Sequence, residues 1–288
     1  MQAGDDCLGY AIIYEMIRME SESGWWLITH VDHARLAGAF AEAWGNTQFR
    51  KPEPRARVLH AIAHHDDGWM DRDARPAVTR EGKPSAFSTE LVGKYTALEE
   101  MDLEDHLGEC ERTVKTIAEQ DAYAGLLVSM HTYSLFTDHA DPSKITRRNL
   151  LLLDSFLVRQ RRYQSELDAR IAAERTLSAE EKSGERIVEH FRLLQACDNL
   201  SLLACVAFSR PAQLLHGLPL SDGTAREVHV TPLAGRHFRL APWPFMEKEL
   251  EFMVPARQVE RKFFATSEQL QRAFERAKVK TLTVTLTK

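Results

Sequence analysis

The hydrophobic pattern of this chain changes period twice, and that double switch restricts its fold more than any other feature. Near the start, AIIYEMIRM (11–19) and WWLITH (25–30) are rich in aromatic and β-branched residues and flank SESG. They read as a hairpin turning near Ser23 and Gly24, with a helix over 11–19 as the competing reading. In VDHARLAGAFAEAWGN, Leu36, Phe40 and Trp44 recur at helical spacing. Asp32 is placed to cap or favour the first turn, and Gly45 to end the helix. PEPRARVLHAIAHHDDGW reads as a second helix, with Val58, Leu59, Ile62 and Ala63 on its apolar side and Gly68 at its exit. The polar stretch 70–88 holds two prolines and reads as a loop able to border a site.

From about Leu103 the period is helical for a long way. DHLGECERTVKTIAEQ is one segment, and DAYAGLLVSMHTYSLF follows with Asp121 as N-cap. After a break at DHADPSK comes a long amphipathic helix beginning RRNLLLLDSF. Ser178 and Glu181 have capping-box spacing and are expected to open a further helix that stops before Pro211. Beyond residue 225, REVHVTPL, HFRLAP, ELEFMVPAR and TLTVTL read as strands, with one helix over 267–278. The expected fold is mainly α, a helical core over 30–210. A small antiparallel sheet from 10–29 and 225–288 flanks it, making the whole α+β.

A chain of 288 residues with 44% hydrophobic and 27% charged residues supports an ordinary globular core. Its net charge of -5 gives no reason to expect a nucleic-acid partner. The four cysteines form no CxxC pair and no evident disulfide framework. Phosphate-binding glycine loops and GxSxG elbows are absent from the sequence. No apolar run reaches the roughly 18 residues of a spanning helix, and no basic-plus-apolar leader opens the chain, so no membrane partner and a cytoplasmic location are expected.

Polar residues inside apolar helices are the chemical signal. His33, His65, Asp66, His106, His131 and Asp198 all fall where the helical pattern points toward the core. Asp198 sits in LLQACDNLSLLAC with no basic residue three or four positions away. A buried carboxylate needs a partner, a proton or a metal. Imidazole and carboxylate together suit zinc, iron or manganese, and helical folds build such sites from separate helices. The alternative is a set of hydrogen-bonded core histidines. Within HHDDGW (64–69) the doublet has more than one register. His60, His64 and Asp67 lie on a different face, either orienting the ligands or facing solvent.

The order His33, His65-Asp66, Asp198 resembles the HD-domain superfamily of metal-dependent phosphohydrolases. AHHDDGW is similar to that family's doublet followed by glycine, and ACDNLSL to its terminal aspartate segment. Binuclear members carry two further histidines in between, where His106 and His131 stand here. Residues 28–45, HHDDGW, VSMHTYSLF and RLAPWPF also resemble an uncharacterised bacterial family related to HD proteins. The resemblance implies an HD-like helical core binding one or two divalent ions (Fe, Mn, Zn or Mg) through His33, His65, Asp66, His106, His131 and Asp198. Asp66 would bridge the ions. It implies hydrolysis of a small phosphorylated substrate by metal-activated water, with Asp66, His64 and Asp67 in the catalytic set. Lys144, Arg147 and Arg148, or Arg72, Arg75, Arg80 and Lys83, would clamp phosphate oxygens. An HD-fold di-iron oxygenase uses the same ligands, and a non-enzymatic ligand-binding protein is the further alternative. Trp243, in APWPF, is expected to cement sheet to helices, with closing one side of the pocket as the alternative.

Overall fold

The computed structural model describes residues 16–88, 103–137 and 146–288. Strands β1 (Ile17–Glu20) and β2 (Trp25–Ile28) form the expected hairpin, closed by the Ser21 N–H donating to the Gly24 carbonyl. Residues 11–15 of the expected first strand, Cys7, Lys144 and the break around Pro142 lie outside the described residues.

Helix α1 (His30–Ala43) follows directly. Thr29, rather than Asp32, is its N-cap: the Thr29 hydroxyl accepts from the Asp32 N–H and donates to the Asp32 carboxylate. Helix α2 (Arg55–His64) ends four residues earlier than the glycine suggested. The chain then makes a single 3-10 turn over Asp67–Trp69 and a short helix α3 (Met70–Asp73). Helices α1 and α2 cross in close contact at Gly38, where an added Cβ would stand 2.6 Å from the Ala63 Cβ. That proximity brings the His33 turn of α1 to the exit of α2.

The central helices are α4 (Leu103–Gln120), α5 (Ala122–Thr137), α6 (Arg147–Ala173) and α7 (Gly184–Cys205). Asp121 caps α5, its carboxylate accepting from the Ala124 N–H at 2.8 Å. The Ser178–Glu181 box forms both of its reciprocal bonds, but it closes a turn ahead of the helix, and Ser183 caps α7. Residues 193–205 of α7 are buried on every side, as expected of a helix that is apolar all round. Polar groups there must find partners within the protein.

The C-terminal region supplies β3 (Ala212–Gln213), β4 (Leu218–Pro219), β5 (Ala225–Arg226), β6 (His229–Ala234), β7 (His237–Ala241), β8 (Glu249–Val259), helix α8 (Ser267–Arg276) and β9 (Val279–Thr287). Seven strands join in the order β1-β2-β8-β9-β7-β6-β3. The fold is therefore the expected helical body with a sheet built from both ends of the chain. The sheet departs from the expectation in one pairing: β7 and β9 run parallel, while every other pair is antiparallel. One continuous apolar cluster runs from Ile17 and Phe40 through Leu127 and Leu200 to Phe238 and Leu286, joining helices to sheet. Trp243 is buried in that cluster, edge-on to Phe245, with its indole N–H on the Glu247 carbonyl.

Candidate metal centre

Five helices deliver imidazoles and carboxylates to one place. His30 and His33 share a face of α1, being three residues apart. His65 is the C-cap of α2, and Asp66 leaves helical geometry at φ -115°. His106 comes from α4, His131 from α5 and Asp198 from the buried stretch of α7. His33, His65, His131 and Asp198 are buried, and Asp66 retains 17% of its side-chain exposure.

Hydrogen bonds fix which ring nitrogens face inward. The Ser201 hydroxyl gives its single proton to the Asp198 carbonyl at 2.7 Å, so it accepts from His33 Nδ1 at 2.9 Å. His33 Nε2 is then left with a lone pair, 2.8 Å from Asp66 Oδ2. His65 repeats the pattern. Its Nδ1 donates to the Ile62 carbonyl at 2.7 Å, and its Nε2 stands 3.5 Å from Asp198 Oδ1 and 3.6 Å from Asp66 Oδ2. His65 Nε2 and Asp198 Oδ1 are buried without a hydrogen bond. Acceptors therefore face acceptors, which is unfavourable unless positive charge lies between them. A proton on the ring is one answer. Burial opposes the charge on His65, but the Asp66 charge and the Asp198 contact push its pKa up to about 9. Burial likewise opposes ionised Asp66 and Asp198, yet the facing imidazoles hold both carboxyls below the usual range. A divalent cation answers the same demand with more charge, and anchoring each Nδ1–H is how proteins aim a ligand's Nε2 at a metal.

Two overlapping triads have this character: His33, His65 and Asp66, and His65, His131 and Asp198, each with its ligand atoms within 4.8 Å of one another. Either can coordinate a divalent ion. They share His65, whose one free lone pair serves one ion, so a pair of ions would need a bridging carboxylate.

A family model with the description "Protein of unknown function (DUF3891)" matches residues 16–261. The chain belongs to DUF3891. No curated protein and no solved structure matches it.

In this DUF3891 chain, five of the six expected ligands meet in the triads, and the members of HHDDGW that enter them are His65 and Asp66. His106 lies outside both triads. It lines the same narrow cleft, of about 30 Å³, with its ring 4.7 Å from Trp69 and 5.7 Å from Phe136. Its Nδ1 has no hydrogen bond, and burial, helped by Arg72, pushes its pKa down to about 3. It is thus a neutral imidazole at the cleft wall. Cys110 also lines the cleft, and burial raises its thiol pKa, which leaves it unionised.

His64 and Asp67 face another way. His64 Nδ1 donates to Asp67 at 2.6 Å, Arg35 pairs with Asp67 at 2.8 Å, and the His60 ring lies 4.4 Å from that of His64. These histidines and Asp67 line a separate pocket of about 320 Å³. Arg147 and Arg148 stand exposed in the first turn of α6, Arg148 facing Glu104 at 3.6 Å, and neither lines the cleft. Arg75 and Arg80 are exposed, and Lys83 pairs with Glu81. Among the described clamp candidates, Arg72 lies over the ring of the cleft-lining Trp69 and pairs with Asp105.

Sequence reasoning missed His30 and Asp73. Both are buried, and His30 Nδ1 meets Asp73 Oδ1 at 2.9 Å. His30 lines the cleft and stacks on Trp69 at 5.1 Å, so Trp69 lies between His30 and His106. The available signal was His30 standing one helical turn before His33.

Proposed function

We propose that the chain is a metal-dependent phosphohydrolase acting on a small phosphate ester. The observation that carries the metal dependence is the inward set of imidazole lone pairs facing ionised carboxylates, a geometry that calls for a cation. The reaction class is supported by the resemblance of the ligand order to the HD superfamily, which is fold-level analogy and transfers sites better than substrates. His33, His65 and Asp66 would hold one ion, and His131 and Asp198 would extend the site. When bound, a divalent ion supplies acidification of water and neutralisation of phosphate charge.

The protein's own groups do the rest. Ser201 and the Ile62 carbonyl keep His33 and His65 in one tautomer. Asp66, partly exposed at the cleft, is the carboxylate best placed to be shared between ions or to accept a proton from water. Trp69 and Leu135 line the cleft as apolar walls that would limit water around the reacting group. Arg72, over the ring of the cleft-lining Trp69, is the candidate cation for a phosphate oxygen.

The second reading is an HD-fold di-iron oxygenase. It is favoured by the small cleft and by Arg147 and Arg148 not being among its lining residues. Purification under strict anaerobiosis, with metal analysis and a phosphate-ester panel, separates the two. Redox-silent metal with ester turnover in the absence of dioxygen supports hydrolysis. A mixed-valence iron signal that responds to dioxygen and an organic substrate, with no ester turnover, supports the oxygenase.

A further inference from the structure

We propose that His30, held in place by Asp73, is the side chain that touches the substrate's phosphate oxygen in the cleft; this rests on the phosphohydrolase reading above. His30 is buried and its Nδ1 is committed to Asp73 at 2.9 Å. Asp73 is itself fixed, its second oxygen accepting from the Val31 N–H at 3.3 Å. The ring is further clamped by stacking on Trp69. Nε2 has no partner among the described residues, and His30 lines the cleft. A buried imidazole held on one nitrogen, in a ring that lines a cleft, keeps its other nitrogen for a group that enters that cleft.

The ligand chemistry follows from position. The His30 ring lies 6.1 Å from that of His33, outside both triads, so it is a neighbour of the cation site and not part of its ligand set. A phosphate group offers both P–O⁻ acceptors and, when protonated, a P–OH donor. It can therefore bond Nε2 whichever way that nitrogen's proton stands. Asp73 acts only through His30 and is a positioning residue. Neither residue was among the clamps that sequence spacing suggested; His30 lines the triads' cleft, and Arg147 and Arg148 do not.

The test is calorimetric titration of the metal-replete protein with inorganic phosphate, with metal content measured on every sample. His30→Phe keeps the stack on Trp69 and removes Nε2. It should retain its metal and bind phosphate about tenfold more weakly, as expected for the loss of one hydrogen bond to an ion. His30→Gln, whose amide can donate or accept, should recover most of that affinity. Asp73→Ala should weaken phosphate binding in the wild-type background and have little effect on top of His30→Phe, because its contribution passes through the ring. Unchanged phosphate affinity in His30→Phe overturns the proposal, as does loss of metal, which would make His30 a ligand. A wild-type protein that holds metal and binds no phosphate overturns the phosphohydrolase reading itself, and this assignment with it.

Discussion

His190 shows how burial shifts a proton affinity in this protein, away from the metal centre. Burial, followed by the Arg50 charge, pushes its pKa down to about 4, and its Nδ1 is bonded to the Tyr123 hydroxyl at 2.8 Å. In the unfolded chain it titrates near 6.5. Between those values the unfolded state binds more protons, so this contribution is complete above about 6.5 and is lost as pH falls toward 4. Urea unfolding from pH 7 down to 4.5 should show His190→Gln losing less stability than wild type, by of order 2–3 kcal/mol. Equal pH slopes would remove His190 from the account. Ser201 carries a second prediction. Replacing it with alanine frees His33 Nδ1, and metal affinity should fall 10–100-fold in a competition titration, with the fold intact. His33, His65, Asp66, His131 and Asp198 were legible because a charged or imidazole group in an apolar helix demands a reason. His30 was not, since a single histidine before a helix reads the same whether it caps, packs or faces a cleft. Asp73 was hidden in a polar loop where carboxylates are ordinary.

At the level of elements, the site depends on how closely α1 approaches α2. Gly38 permits backbone contact with Ala63, and a methyl group there would overlap it. Gly38→Ala should cost about 1–3 kcal/mol in denaturant unfolding and lower metal affinity, because it drives His33 away from the doublet. Gly184→Ala, at the exposed start of α7 with nothing within 4 Å, serves as the control and should change neither. The amphipathic helices were readable from their period. The end of α2 was not: the text offers no break before Gly68, yet the chain leaves the helix at His65. That exit is what aims both members of the doublet inward. Gly68 has another role, since a Cβ there would stand 1.8 Å from Thr113 Oγ1 on α4. The parallel pairing of β7 with β9 was also invisible, because a period of two marks a strand's faces and says nothing of its neighbour's direction.

For the whole molecule, the uninterrupted apolar cluster from helices to sheet argues that the two fold and unfold together. A single calorimetric transition is expected, and Trp243→Ala, which empties a buried site between them, should lower stability by about 3–5 kcal/mol without lowering metal content. Two separated transitions would mean that the sheet is an independent unit. That common frame holds side chains from four helices close enough to share a cation, and this is the centre of the account. Elemental analysis of the purified protein beside its Asp66→Ala and His64→Ala variants tests it most directly. Wild type and His64→Ala should carry divalent metal at one or two ions per chain, and Asp66→Ala should lose most of it. Metal content unchanged in Asp66→Ala, or no metal in wild type even after reconstitution, would contradict the assignment.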